Sequence, residues 1–223
     1  MQAQLQPSYP LLYSMQGFKY CDLLLAEAER AAWQRQLAPS TWQAEGRGEG
    51  IDACHAVEKR AAQTLGWVTG RLGLLNETID HLTLGRAALI RAVLDPSAFG
   101  TQHAALVQTG KELAVAVDGL RAAGQQQYLP PGLLARAWLY FITNNPTAAR
   151  ADLDEAWQIA SRGDMRLFMA DIHLHRARLF RDKEELKKAR DLIEQCGYWR
   201  RKEELEDAEA AARSWPDAAV STS

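Results

Sequence analysis

The sequence predicts an all-α chain of antiparallel helix pairs stacked as an α-solenoid, and three observations carry that expectation. Apolar residues recur at intervals of three and four through most of the 223 residues, whereas period-two runs rich in Val, Ile and Thr are nearly absent. Ala, Leu, Arg, Glu and Gln dominate, and these lose little rotamer freedom in a helix. The third observation is a pattern of small residues at fixed spacing that recurs along the chain, the mark of a repeat architecture.

Breakers divide the chain into helices predicted over 10–30, 51–70, 72–94, 103–124, 131–144, 146–161, 164–181, 183–196 and 200–213. The first two are joined by 39–50, PSTWQAEGRGEG, whose Pro, Gly residues and low apolar content read as an exposed loop. Asp95-Pro96-Ser97 breaks the chain again. The run QQQYLPP at 125–131 is the third break, and its paired prolines suit the first turn of the helix that follows. Gly197 reads as a helix C-cap before the turn into a terminal capping helix. The expected organisation is one helical repeat domain over 10–213, between a disordered segment 1–9 and a disordered tail 214–223.

The pairs emerge when the helices are compared with one another. A first helix shows Tyr13, Gly17, Tyr20; then His81, Leu84, Gly85, Ala88; then Leu133, Ala137, Tyr140; then His173, Ala177, Phe180. A second helix shows Ala61, Leu65, Val68; then Ala116, Leu120, Ala123; then Ala149, Leu153, Ala156; then Ala189, Ile193, Cys196. Small residues let two antiparallel helices approach closely while the large ones fill the space between turns. Ala137 to Ala149 and Ala177 to Ala189 are both 12 residues apart, whereas the first two pairs carry longer connections. The pairs so defined span about 10–70, 72–124, 131–161 and 164–196, followed by the capping helix 200–213. Gly17, Gly85, Ala137 and Ala177 are separated by 68, 52 and 40 residues. These spacings exceed the roughly 34-residue unit of the regular tetratricopeptide (TPR) repeat, so the array is degenerate. A generic helical bundle is the alternative architecture.

The run LPPGLLARAWLYFITNNPTAARADLDEAWQIASRGDMRLFMADIHLHRARLF, with RDLIEQCGYWRRKEELEDAE after it, carries a family resemblance. So do YPLLYSMQGFKYCDLLL at 9–25 and IDHLTLGRAALIRA at 79–92. Together they resemble the C-terminal TPR sensor region of large bacterial signal-transduction ATPases of the NACHT/STAND type. The resemblance implies a right-handed TPR-like superhelix that recognises a ligand or holds a larger protein inactive. No GxxxxGK[ST] phosphate loop occurs, so only the sensor half is implied, and whether the chain stands alone or belongs to a larger protein is left open.

Composition narrows the partners. Lys plus Arg number 26 against 28 Asp plus Glu, so the formal charge of -2 offers nothing to wrap a nucleic acid. No apolar run approaches the roughly 20 residues a bilayer crossing needs. Cys21, Cys54 and Cys196 are dispersed and form no CxxC or Cys/His cluster, which disfavours disulfides and structural zinc and suits a reducing cytoplasm. MQAQLQPSYPLLYSMQG lacks the charged start and apolar run of a secretory signal.

Catalytic, cofactor and metal residues are not expected. His173 and His175 in DIHLHRAR stand two apart, on different faces of a helix, and His173 occupies a packing position. No GxSxG or Cys-with-His signature appears, and Cys21 and Cys196 sit at packing positions. The mixed charges of RDKEELKKARDLIEQ, such as Glu184 with Lys188, suit a solvated face. Tyr198-Trp199-Arg200-Arg201-Lys202 sets aromatics beside three cations, suited either to a phosphate or nucleic-acid contact or to the capping turn.

The expected function is that of a non-catalytic scaffold binding a protein or peptide in a concave groove lined by the first helices. Spacing selects Ser14, Phe18 and Cys21, then Leu134, Trp138 and Phe141, then Leu174, Arg178 and Arg181 as groove residues, apolar and aromatic with a basic end. Arg178 and Arg181 suit a carboxylate of the partner. The competing expectations are a ligand-sensing or autoinhibitory domain of a signalling ATPase and an enzyme on a helical bundle. Homo-oligomerisation is left open.

Overall fold

The computed structural model describes residue 4 and residues 10–39, 47–95 and 99–216. Among the described residues the chain is all-helical, in ten α-helices packed as neighbouring pairs. They are α1 Ser14–Leu24, α2 Ala26–Leu37, α3 Arg47–Val68, α4 Leu74–Leu94, α5 Phe99–Ala122, α6 Leu129–Ile142, α7 Pro146–Arg162, α8 Arg166–Phe180, α9 Lys183–Cys196 and α10 Lys202–Ala212. Short 3-10 turns at Gln126–Tyr128 and Trp199–Arg201 lead into α6 and α10. None of these helices is long and apolar enough to cross a membrane.

Local chemistry explains most of the boundaries. Pro130 and Pro131 sit in the first turn of α6, where a missing N–H costs nothing. The Asn145 side chain accepts from the Ala148 N–H at the start of α7, and Asp182 does the same for Glu184 and Glu185 at the start of α9. Gly197 closes α9 at φ 60°, with the Tyr198 N–H returned to the Ile193 carbonyl at 2.9 Å.

Three expected pairs are present: α4 with α5, α6 with α7 and α8 with α9. Their small residues stand at the crossings, for Ala137, Ala149, Ala177 and Ala189 are all fully buried. At Gly85 a Cβ would lie 2.6 Å from Leu113 Cδ2 of α5, so the close approach requires glycine.

The first expected pair is not formed. α3, which carries Ala61, Leu65 and Val68, packs chiefly against α4 rather than α1. The single helix expected over 10–30 is two, interrupted at Leu25, and the second runs on to Leu37. Leu25 is buried, and its docking into the core bends the chain where no breaker announces it. The loop expected over 39–50 is already helical from Arg47; residues 40–46 and 96–98 lie outside the described residues, as does the segment 1–9 apart from Gln4. Trp215, expected in a frayed tail, is buried against the core that also holds Leu174, Leu186, Ile193 and Leu205. An indole supplies enough apolar area to pin the chain after α10.

The principal departure is the position of α2. Its Trp33 is 1% exposed and stacks on Trp138 of α6 with ring centroids 3.9 Å apart. It also meets His175 of α8 edge-on at 5.1 Å and carries the Arg178 guanidinium 4.9 Å from its ring centre. α2 therefore lies across the face of the first helices, the surface expected to stand open for a partner.

Candidate functional site

Beside α2 the same face retains a cavity of about 210 Å³. α4 and α6 supply an apolar floor with Leu89, Ile90, Leu134 and Trp138, and Phe168 of α8 closes one side. Phe18, Lys19 and Asp22 on α1 and Glu29 on α2 form a second wall. Tyr198, Arg200 and Arg201, from the turn before α10, complete it. Distant segments of the chain thus meet around one space.

The polar wall is an ion-pair network. Arg86 Nη2 contacts Asp22 and Glu29, each at 2.8 Å. Arg200 reaches the Asp22 carboxylate at 2.9 Å. Arg201 Nε donates to Asp171 at 2.8 Å while its Nη1 reaches Glu204. Arg178 Nη2 donates to Glu204 at 2.9 Å and to its backbone carbonyl at 3.0 Å. Four guanidinium groups therefore face four carboxylates in a largely buried setting, where an unpaired charge would be very costly.

Titration follows from this environment. Burial works against the Asp22 and Glu204 carboxylates, but their arginines outweigh it: Asp22 lies below its usual value and Glu204 falls to about 2. For Asp171 burial prevails over Arg201 and the pKa rises. Burial, reinforced by Arg178, drives His175 down to about 3. The imidazole is accordingly neutral near pH 7, and its Nδ1–H donates to the Asp171 carbonyl at 2.9 Å. Burial and the neighbouring Asp171 push the Tyr198 hydroxyl up to about 12. The wall has donors and acceptors in fixed positions and suits recognition. Among the described residues no group of three or more His, Cys, Asp or Glu is placed to hold a metal ion.

Of the residues that spacing selected, the cavity gathers Phe18, Leu134 and Trp138. The others lie elsewhere. Ser14 is half-buried and its hydroxyl bonds Asn76 at the start of α4. Phe141 is half-buried, edge-on to Phe180 at 5.6 Å. Cys21 and Leu174 are core residues. Arg178, expected at an exposed basic end, is 3% exposed, because α10 comes back over α8 and brings Glu204 to it. Arg181 is exposed but sits past the helix in the left-handed cap of α8, φ 55°, so it does not continue the Arg178 face. His173 and His175 face different neighbours: His173 Nδ1 lies 2.6 Å from Glu185 of α9, and His175 meets Trp33. Lys188 pairs with Glu185 rather than Glu184.

Lys19, Asp22, Glu29, Arg86, Asp171 and His175 carry no spacing signal that would have grouped them. The YWRRK run held the one available hint. Its Tyr198, Arg200 and Arg201 face the cavity, while Trp199 is 60% exposed. No family model matches the chain, and neither a curated protein nor a solved structure matches it.

Proposed function

We propose that this chain is a ligand-recognition domain without catalytic chemistry of its own, which receives a small molecule in the cavity between the first helices and α2. On this reading it is a TPR-like stack whose concave face is partly filled by its own helix. That supports the role of a ligand-sensing domain, such as a larger bacterial signalling ATPase would carry, over that of an open peptide groove. The observation that carries the reading is Trp33 stacked on Trp138, which closes the groove to an extended chain and leaves one bounded space beside it. Such spaces, apolar with a few convergent polar groups, are where small ligands bind.

The test is a fragment screen by NMR with methyl labels on Ile90, Leu89 and Leu134. Hits should shift these signals and should be lost in Ala135→Phe, since Ala135 of α6 also lines the cavity and a ring there would fill it. Hits that cluster on another face, or that survive the filled cavity, overturn the proposal. A second reading, a protein-binding scaffold, is favoured by the exposed apolar side chains of Leu23, Tyr20 and Trp199. On that reading Leu23→Ser with Trp199→Ser abolishes capture of a protein partner and leaves fragment binding intact.

A further inference from the structure

The cavity wall is not electrostatically indifferent. Every carboxylate that lines it is already engaged: Asp22 by Arg86 and Arg200, Glu29 by Arg86, and Asp171 by Arg201 and the Tyr198 hydroxyl. Of its cations Arg201 is fully engaged by Asp171 and Glu204, but Arg86, Arg200 and Lys19 are not. Both contacts of Arg86 run through Nη2, and its Nε and Nη1 make no hydrogen bond to a described residue. Arg200 likewise contacts Asp22 only through Nη2. Lys19 stands at the rim three residues before Asp22 on α1, exposed and without an ion pair among the described residues. The wall therefore has a surplus of donors and of positive charge, opposite an apolar floor.

We propose that the ligand is a small amphipathic anion, an aromatic ring or short alkyl group bearing one carboxylate. This rests on the ligand-recognition reading above. The apolar end lies on Leu89, Ile90, Leu134 and Phe168, and the carboxylate accepts from Arg86, Arg200 and Lys19. Guanidinium donors pair with a carboxylate in charge-assisted bonds stronger than neutral ones. A cationic ligand would find its natural acceptors occupied and would add to the surplus charge. Size agrees: an apolar cavity of about 150 Å³ is enough to take up benzene, and this one, at about 210 Å³, has room for a single-ring molecule.

Calorimetric titration at neutral pH with phenylacetate, phenylacetamide and phenethylamine tests this with one ring and three charge states. Phenylacetate is expected to bind at least about ten-fold more tightly than the amide, the effect of one hydrogen bond to a charged group, and the amine most weakly. Lys19→Gln combined with Arg200→Gln, at exposed positions, should reduce the preference for phenylacetate over the amide by about three-fold or more, Arg86 remaining as the third donor. Circular dichroism checks that the variant is folded. If the amide or amine binds in the cavity as tightly as phenylacetate, the anion is wrong and the recognition reading stands. If the double variant keeps the preference undiminished, the basic rim is not its origin and the proposal falls. If none of the three binds, the proposal falls as well, and the fragment screen then decides the fate of the cavity itself.

Discussion

Truncating Trp33 to alanine removes the side chain that holds α2 on the face of the first helices. A buried indole covers about 200 Å², which at about 25 cal/mol per Å² amounts to about 5 kcal/mol as an upper estimate. Core aromatic-to-alanine changes cost about 3–5 kcal/mol once partial collapse of the site is allowed for. The stack on Trp138 at 3.9 Å should appear separately, as a coupling of about 1 kcal/mol between Trp33→Ala and Trp138→Ala. Urea unfolding followed by circular dichroism on the parent, both single variants and the double variant gives all four corners of the cycle. The reasoning is refuted if Trp33→Ala costs less than about 1 kcal/mol, or if the two changes add to within about 0.5 kcal/mol. Either result would mean that Trp33 does not hold α2 against α6, and the argument for a bounded cavity would go with it.

Ala137→Leu or Ala177→Leu forces a branched side chain into a fully buried helix crossing and should lower stability by about 1–3 kcal/mol, read from thermal unfolding. Unchanged melting in both would remove these alanines from the pair contacts. Arg178→Ala takes one of two arginines from the buried Glu204, leaving Arg201 as its partner, and should cost about 2–3 kcal/mol in urea unfolding, less than the about 3–5 kcal/mol of an orphaned buried charge; a cost below about 1 kcal/mol would contradict a paired buried charge. Two buried groups, His175 and Asp80, act in opposite directions on the pH dependence of stability. His175, depressed to about 3, contributes stability that is fully present above its unfolded pKa of about 6.5 and is lost as pH falls toward 3. Asp80, whose burial raises it to about 7, keeps its proton in the folded state while the unfolded chain releases it, so it withdraws stability as pH rises from about 4 toward 7. Asp80→Asn should therefore be more stable than the parent at about pH 8 relative to their difference at about pH 4; an equal difference at the two pH values would show that Asp80 does not titrate in this way.

Much of the architecture was legible because it is local. The 12-residue interval from Ala137 to Ala149, and again from Ala177 to Ala189, marks two helix hairpins whose crossings the structure places at those alanines. Gly197 and the 130–131 prolines mark boundaries through backbone chemistry that needs no tertiary context. The interruption at Leu25 was hidden because LLLAEAERA contains no breaker and the bend comes from docking. The site was largely illegible for a related reason. Helical spacing shows which side of α8 Arg178 and Leu174 occupy, but not that α10 and α2 cover that side, since Glu204 and Trp33 lie 26 and 145 residues from Arg178. Partners at such separations leave no periodic trace. Phe18, Leu134 and Trp138, picked out by helical spacing, do line the cavity, because spacing fixes the face of a helix on which a side chain lies whatever covers that face.

The contact between α2 and α10 changes how the stack should respond to stress. Arg30 donates to Asp207 at 2.7 Å and also reaches Glu203, and Arg200 spans to Asp22. A row of repeats joined only to nearest neighbours frays inward from its ends, each unit melting at a cost set by one interface. Here α2, near the start of the described chain, is fastened to α10, the last of the described helices, so neither can peel away without opening the junction that secures the other. A single cooperative opening is therefore expected in place of fraying. A molecule seated among Phe18, Lys19 and Arg200 would bridge that junction, and its binding energy would oppose the opening of the whole domain rather than stiffening one helix pair.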